Sequence, residues 1–127
     1  MIALHHVQVA CPRGGEDAAR RFYGDALGLT EVAKPAGLRG RGGAWFRGYD
    51  GHGAVSAELH VGVEDPFLKA RKAHPAFVVG DLGAVADALV EAGFDLDLSE
   101  SPSFEGYRRF HVLDPHGNRV EVLQPLG

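Results

Sequence analysis

The chain has 127 residues, of which 45% are hydrophobic and 24% charged, with a formal net charge of -4. These values predict one globular domain over residues 1–127, and they exclude a disordered chain, a membrane-spanning helix and a protein that holds nucleic acid by excess positive charge. Cys11 is the single cysteine, and the start MIALHHVQVACP has neither a basic n-region nor a long apolar stretch. No internal disulfide is possible, and a cytoplasmic location is expected.

Residues 3–10 alternate in polarity and are rich in β-formers, which predicts a strand. Over residues 15–27, Ala18, Phe22 and Ala26 form one helical stripe flanked by Ala19, Tyr23 and Leu27, and Gly28 stands at the cap position. Three strands follow at 29–33, 43–49 and 55–62, the last two joined through Asp50-Gly51-His52-Gly53. Between them Lys34, Arg39 and Arg41 cluster in a glycine-rich segment, which is read as a solvated loop.

A second round opens near Ala73. Residues 74–79 predict a strand, and Asp81 is the N-cap of a helix that buries Leu82, Val85, Ala86 and Leu89 and ends at Gly93. Strands at 95–98, 107–113 and 118–124 complete it. The order is therefore β-α-β-β-β twice, in modules of about 1–63 and 73–127. His6 and His74 open the two rounds, Gly28 and Gly93 close their helices, and Glu58 and Glu121 lie on their last strands. An internal repeat carries more weight than any motif within it.

Strand parity sorts the polar residues. His5 falls with Val7 and Val9, whereas His6 falls with Gln8. Val55, Ala57, Leu59 and Val61 share one face, and Ser56, Glu58 and His60 the other. Phe110 and Val112 oppose Tyr107, Arg109 and His111. The polar faces predict a cavity lined by His6, Glu58, His60, His74, Arg109, His111 and Glu121, although parity is silent at His74, where both faces are apolar. Glu121 stands among Val120, Val122 and Leu123, so its carboxylate needs solvent or a positive partner. Cys11 reads as a small buried hydrophobe, and His5, His52 and His116 as structural or loop residues.

The paired halves, together with "LHHVQVA", "RFYGDALGL" and "DPHGNRVEV", resemble the vicinal-oxygen-chelate superfamily, which includes glyoxalase I, extradiol dioxygenases, fosfomycin-resistance transferases and bleomycin-binding proteins. The most specific piece is Asp-Pro-x-Gly-x-x-x-Glu, supplied by Asp114, Pro115, Gly117 and Glu121. The resemblance implies an α+β fold of two βαβββ modules forming a curved, largely antiparallel sheet with helices outside. It implies a divalent metal (Ni, Zn, Mn, Co or Fe(II)) on His6, Glu58, His74 and Glu121. His60 is an alternative to Glu58. Two imidazoles with carboxylates suit such ions in open octahedral geometry, and no thiolate cluster marks a structural zinc.

Two functions follow. The first is a lyase-, isomerase- or dioxygenase-type metalloenzyme acting on a small oxygenated, anionic substrate, with Arg109 holding the anion and His111 or Glu58 moving a proton. The second is a metal-free protein that binds an antibiotic or metabolite. Gly62, where glutathione-binding relatives carry asparagine, and His111, where extradiol dioxygenases carry tyrosine, separate the chain from those activities. A homodimer is expected, its metal sites lying either within one chain or shared between subunits.

Overall fold

Backbone accounting explains where each element stops. In the computed structural model, which describes residues 1–127, the chain divides into two units, Met1–Lys69 and Ala70–Gly127. Each is a β-α-β-β-β module with its own four-stranded mixed sheet. No helix is long and apolar enough to cross a membrane.

The first module contains β1 (Val7–Cys11), α1 (Glu16–Ala19, continuing as wider π-type turns over Arg20–Ala26), β2 (Thr30–Val32), β3 (Ala44–Tyr49) and β4 (Val55–Val63). The sheet order is β1-β4-β3-β2, with β1 parallel to β4 and the other pairs antiparallel. The wide turns show in the bond from Leu27 N–H to the Phe22 carbonyl, 2.8 Å. They keep Phe22, Tyr23 and Ala26 buried, and the Tyr23 ring lies 6.0 Å from Phe46 of β3. Gly28 follows with φ +92°, a conformation that costs a side-chain-bearing residue about 1–2 kcal/mol. Cys11 is fully buried, as expected. In the loop before β3 a short 3-10 helix spans Ala36–Arg41, an element the composition did not suggest. Lys34 Nζ donates to the Gly42 carbonyl and Arg39 Nε to that of Lys34 at 3.1 Å, while the Arg39 and Arg41 residues are largely exposed.

The second module contains β5 (Ala76–Val78), α2 (Leu82–Glu91), β6 (Leu96–Asp97), β7 (Tyr107–Leu113) and β8 (Arg119–Pro125), with sheet order β5-β8-β7-β6. Asp81 caps α2 by accepting from Ala84 N–H at 2.9 Å, and Gly93 ends it at φ +95°. Of the expected apolar stripe, Leu89 is fully buried and Leu82, Val85 and Ala86 are half-buried.

The last hairpin sets the register on which the site depends. Asp114 Oδ1 accepts from His116 N–H and Asn118 N–H, both at 2.9 Å, and Oδ2 accepts from the Asn118 side chain at 2.8 Å. Gly117 supplies the positive φ, +90°. This turn puts Glu121 opposite His111 and Arg109 opposite Leu123. Phe110, Val112, Val120 and Val122 fall on the other face and are buried.

A candidate metal centre in the second module

In β8 the residues Val120 and Val122 bury their side chains on one face, so alternation sends Glu121 to the other beside His111 and Arg109. The parity left open at His74 resolves through β5. Ala76 pairs with Glu121, and His74, two residues earlier, reaches the same face. His74 Nε2 lies 2.9 Å from Glu121 Oε1, and His111 Nε2 lies 3.4 Å from that same oxygen. The ligand atoms of His74, His111 and Glu121 all lie within 4.8 Å of one another.

The His74 tautomer follows from its neighbour. Its Nδ1 is 2.8 Å from the Lys72 carbonyl, which can only accept, so Nδ1 carries a proton. A neutral imidazole then points its Nε2 lone pair at the Glu121 carboxylate. Two lone pairs at 2.9 Å repel unless a proton or a cation lies between them. The donor set of two imidazole nitrogens and one carboxylate oxygen suits borderline divalent cations, and a backbone carbonyl fixing the far ring nitrogen is the usual support of a histidine ligand. The residues present fit a divalent metal.

Glu121 is not without a positive partner inside the chain. Arg109 Nη1 donates to its Oε2 at 3.0 Å. The rest of Arg109 is also engaged: Nε donates to the Glu100 carbonyl at 3.1 Å, Nη2 to Ser103 Oγ at 2.7 Å, and the guanidinium lies over the Phe104 ring at 5.3 Å. Burial pushes the Glu121 carboxyl up, but a proton shared with His74, the hydrogen bond from Arg109 and the nearby positive charge outweigh it, and the net direction is down.

The first module places its own carboxylate differently. Glu58, with 4% of its side chain exposed, takes Arg47 Nε on Oε1 at 2.7 Å and His60 Nε2 on Oε2 at 2.8 Å. His60 is buried and sandwiched between Trp45, 3.8 Å away and nearly parallel at 2°, and His6, 3.9 Å away. Burial lowers the His60 pKa and, although Glu58 opposes it, the outcome stays below the usual 6.5. For Glu58, burial raises the pKa, yet the bonds from His60 and Arg47 carry it below the usual 4.5.

Parity misleads at His5. β1 begins only at Val7, so alternation does not govern the two histidines before it. Instead of joining Val7, His5 is exposed, its Nδ1 2.9 Å from that of His6 and 3.8 Å from Glu58 Oε2.

The four expected ligands thus lie as two pairs, His6 and Glu58 in the first module, His74 and Glu121 in the second. The group with converging ligand atoms contains the second pair and adds His111, which the sequence suggested only as a proton carrier. The signal for it was present: His111 stands seven residues before Asn118 on a two-strand hairpin, a spacing that forces it opposite Glu121.

The structure has relatives. A glyoxalase-family protein from Bacillus anthracis is 38% identical, with 99% of this chain and 97% of that one covered and a TM-score of 0.87. An antibiotic binding protein from Streptomyces sp. CB03234 is 21% identical, with 99% of each chain covered and a TM-score of 0.66. A fosfomycin resistance protein from Listeria monocytogenes is 13% identical, with 99% and 95% covered and a TM-score of 0.71, a likeness of fold. No curated protein matches the sequence significantly. With the family model matched over residues 3–122, the chain belongs to the Glyoxalase/Bleomycin resistance protein/Dioxygenase superfamily.

Proposed function

We propose that the chain is a metal-dependent enzyme acting on a small oxygenated, anionic substrate. The observation that carries this reading is the orientation of His74. With Nδ1 committed to Lys72, its Nε2 lies 2.9 Å and His111 Nε2 3.4 Å from Glu121 Oε1, so three ligand atoms of the types a divalent cation takes gather within 4.8 Å of one another. A bound divalent cation would supply Lewis acidity at two neighbouring substrate oxygens. Arg109 keeps Oε2 of Glu121 engaged, so the carboxylate offers the cation a single oxygen. His6 and Glu58 complete the ligand set in a homodimer whose sites are shared between subunits, Glu58 also taking the substrate proton. Mixing His6→Ala with Glu121→Gln subunits tests the sharing: heterodimers should recover about half of the metal capacity, and no recovery refutes it.

The test of the enzyme reading is elemental analysis of protein purified without added metal. About one divalent ion per chain is expected, together with a rise in melting temperature on adding Ni, Zn, Mn or Fe(II). No metal and no rise would refute it.

A second reading rests on a different observation. Glu58 and Glu121 are already paired with Arg47 and Arg109, and the Trp45–His60–His6 stack has aromatic faces suited to a flat ligand. A metal-free antibiotic- or metabolite-binding protein would be built this way, and it is what the failure of the metal test leaves.

A further inference from the structure

Most arginines that face a site in this chain are spoken for. Arg47 is bound to Glu58, and Arg109 uses Nε, Nη1 and Nη2 on three partners. Arg119 is the exception. It opens β8 two residues before Glu121, on the same face, and is half-buried, yet its guanidinium makes no hydrogen bond or close ion pair within the chain and feels only the longer-range attraction of Asp97. It lines a cavity of about 300 Å³ that also includes His111, Asp95, Asp97, Leu96 and Leu113. The sheet register builds this cavity: Asp97 pairs with His111 across β6 and β7, and Leu113 with Arg119 across β7 and β8. One wall of the cavity is therefore a member of the candidate metal centre.

We infer that this cavity is a carboxylate-binding subsite, with Arg119 as its anchor. A half-buried guanidinium with no hydrogen bond to the chain presents a planar fork matched to a carboxylate, a match that the longer-range attraction of Asp97 does not use. The neighbouring charges select the class of anion. Asp97 Oδ1 is held by Ser99 N–H at 2.9 Å and Ser99 Oγ at 2.6 Å, which keeps the carboxylate in place beside the cavity, and Asp95 adds a second. Two acids around one arginine oppose a dianionic phosphate or phosphonate more strongly than a monoanion, which can still take the arginine's fork. Leu96 and Leu113 supply apolar wall for a hydrocarbon body. Two residues along a strand span about 7 Å, so a ligand held at both Arg119 and the centre near Glu121 carries its carboxylate roughly that far from its other oxygens. This last step rests on the proposed metal chemistry; the carboxylate subsite itself does not.

The experiment uses 3-phenylpropionate, with uncharged 3-phenylpropionamide and dianionic 2-phenylethylphosphonate as controls, titrated into isotope-labelled full-length protein with and without Zn²⁺. Saturable shifts of the Asp97, Leu113 and Arg119 backbone amides are expected with the carboxylate, and weaker ones with either control. Arg119→Gln should weaken carboxylate binding at least about tenfold, the loss of one charge-assisted pair, and leave Zn²⁺ affinity unchanged. Where that variant does not fold, Arg119→Lys, which keeps the charge and loses the fork, should weaken binding about threefold. Equal binding of acid and amide, an unchanged affinity in the Arg119 variant, or shifts centred instead on Arg47 or Arg109 would overturn the inference. A protein that takes no Zn²⁺ but binds the carboxylate through Arg119 refutes the enzyme reading alone. One that takes Zn²⁺ and ignores the carboxylate refutes the subsite alone.

Discussion

The two modules set a buried carboxylate at corresponding places, Glu58 on β4 and Glu121 on β8, and surround it in opposite ways. The difference starts at one position of the ladder. Opposite Glu58 stands Arg47, and opposite Glu121 stands His111. Two residues on, Glu58 is followed by His60 and Glu121 by Leu123. In the first module both carboxylate oxygens therefore accept from donors on the same small patch of sheet, and the group is closed. In the second, the arginine is displaced two pairs along to Arg109, which reaches a single oxygen, and the other oxygen faces two imidazole nitrogens. A repeat of one scaffold thus yields a satisfied ion pair in one copy and an open ligand set in the other, through the identity of the cross-strand partner.

The largest test of that contrast is removal of each carboxylate in turn. Glu121→Gln should abolish stoichiometric metal binding, a loss of at least about a hundredfold in affinity, because a neutral amide replaces the one anionic ligand of the cluster. Glu58→Gln should cost less, leaving measurable metal, since Glu58 starts with both oxygens engaged. Chelator competition measures both; equal losses would erase the distinction between the modules.

Exchanging the cross-strand partners sharpens it. His111→Arg should close the second carboxylate as Arg47 closes the first and lower metal affinity about ten- to a hundredfold, the range typical for disturbing a ligand's immediate support. Arg47→His, which frees an oxygen of Glu58, should not lower metal affinity. If His111→Arg binds metal as well as the parent does, His111 is no ligand.

The turn that fixes the register comes next. Asp114→Ala removes the acceptor for three N–H groups at a buried corner and should cost about 2–3 kcal/mol in chemical denaturation. A cost below about 0.5 kcal/mol would mean that strand packing alone holds Glu121 opposite His111.

The smallest effect concerns acid. His60 has a folded pKa below 6.5, so the unfolded chain binds more protons as pH falls through that value, and metal-free stability should decline from there downward. Glu58 and Glu121 have folded values below 4.5; their contribution is present above that pH and is lost as pH falls through the folded values. Thermal melts between pH 7 and pH 3 should show an early limb that His60→Gln flattens and a later one that it leaves. An early limb unchanged in His60→Gln would assign it to another histidine.

Much of this was legible in the chain because short-range physics writes it there. The stop signals at Gly28 and Gly93, the Asp81 cap and the Asp114–Asn118 turn are local devices that need no distant partner, and β7 begins and ends where its alternation does. The pairing of Glu121 with His111 was also implicit, since a tight hairpin dictates its own register. Legibility failed where two segments far apart meet. His74 could be assigned to no face until β5 was seen beside β8, a pairing 45 residues apart in sequence between Ala76 and Glu121. His5 was misplaced because periodicity says nothing before a strand begins, and β1 begins at Val7.

Sequence by itself determined the repeat, the superfamily and the presence of a buried carboxylate that needs positive company, because patterning and turn chemistry are written residue by residue. Only tertiary structure decided what that company is. It brought the Lys72 carbonyl to His74 and so aimed Nε2 at Glu121, spent Arg109 on the carboxylate, the Glu100 carbonyl and the Ser103 hydroxyl, and left Arg119 in a cavity with no hydrogen bond of its own. The reason is physical: which donor satisfies a buried acceptor depends on distances across strands and loops, and two arginines eleven residues from Glu58 and twelve from Glu121 look alike until the register places one opposite and the other two pairs away.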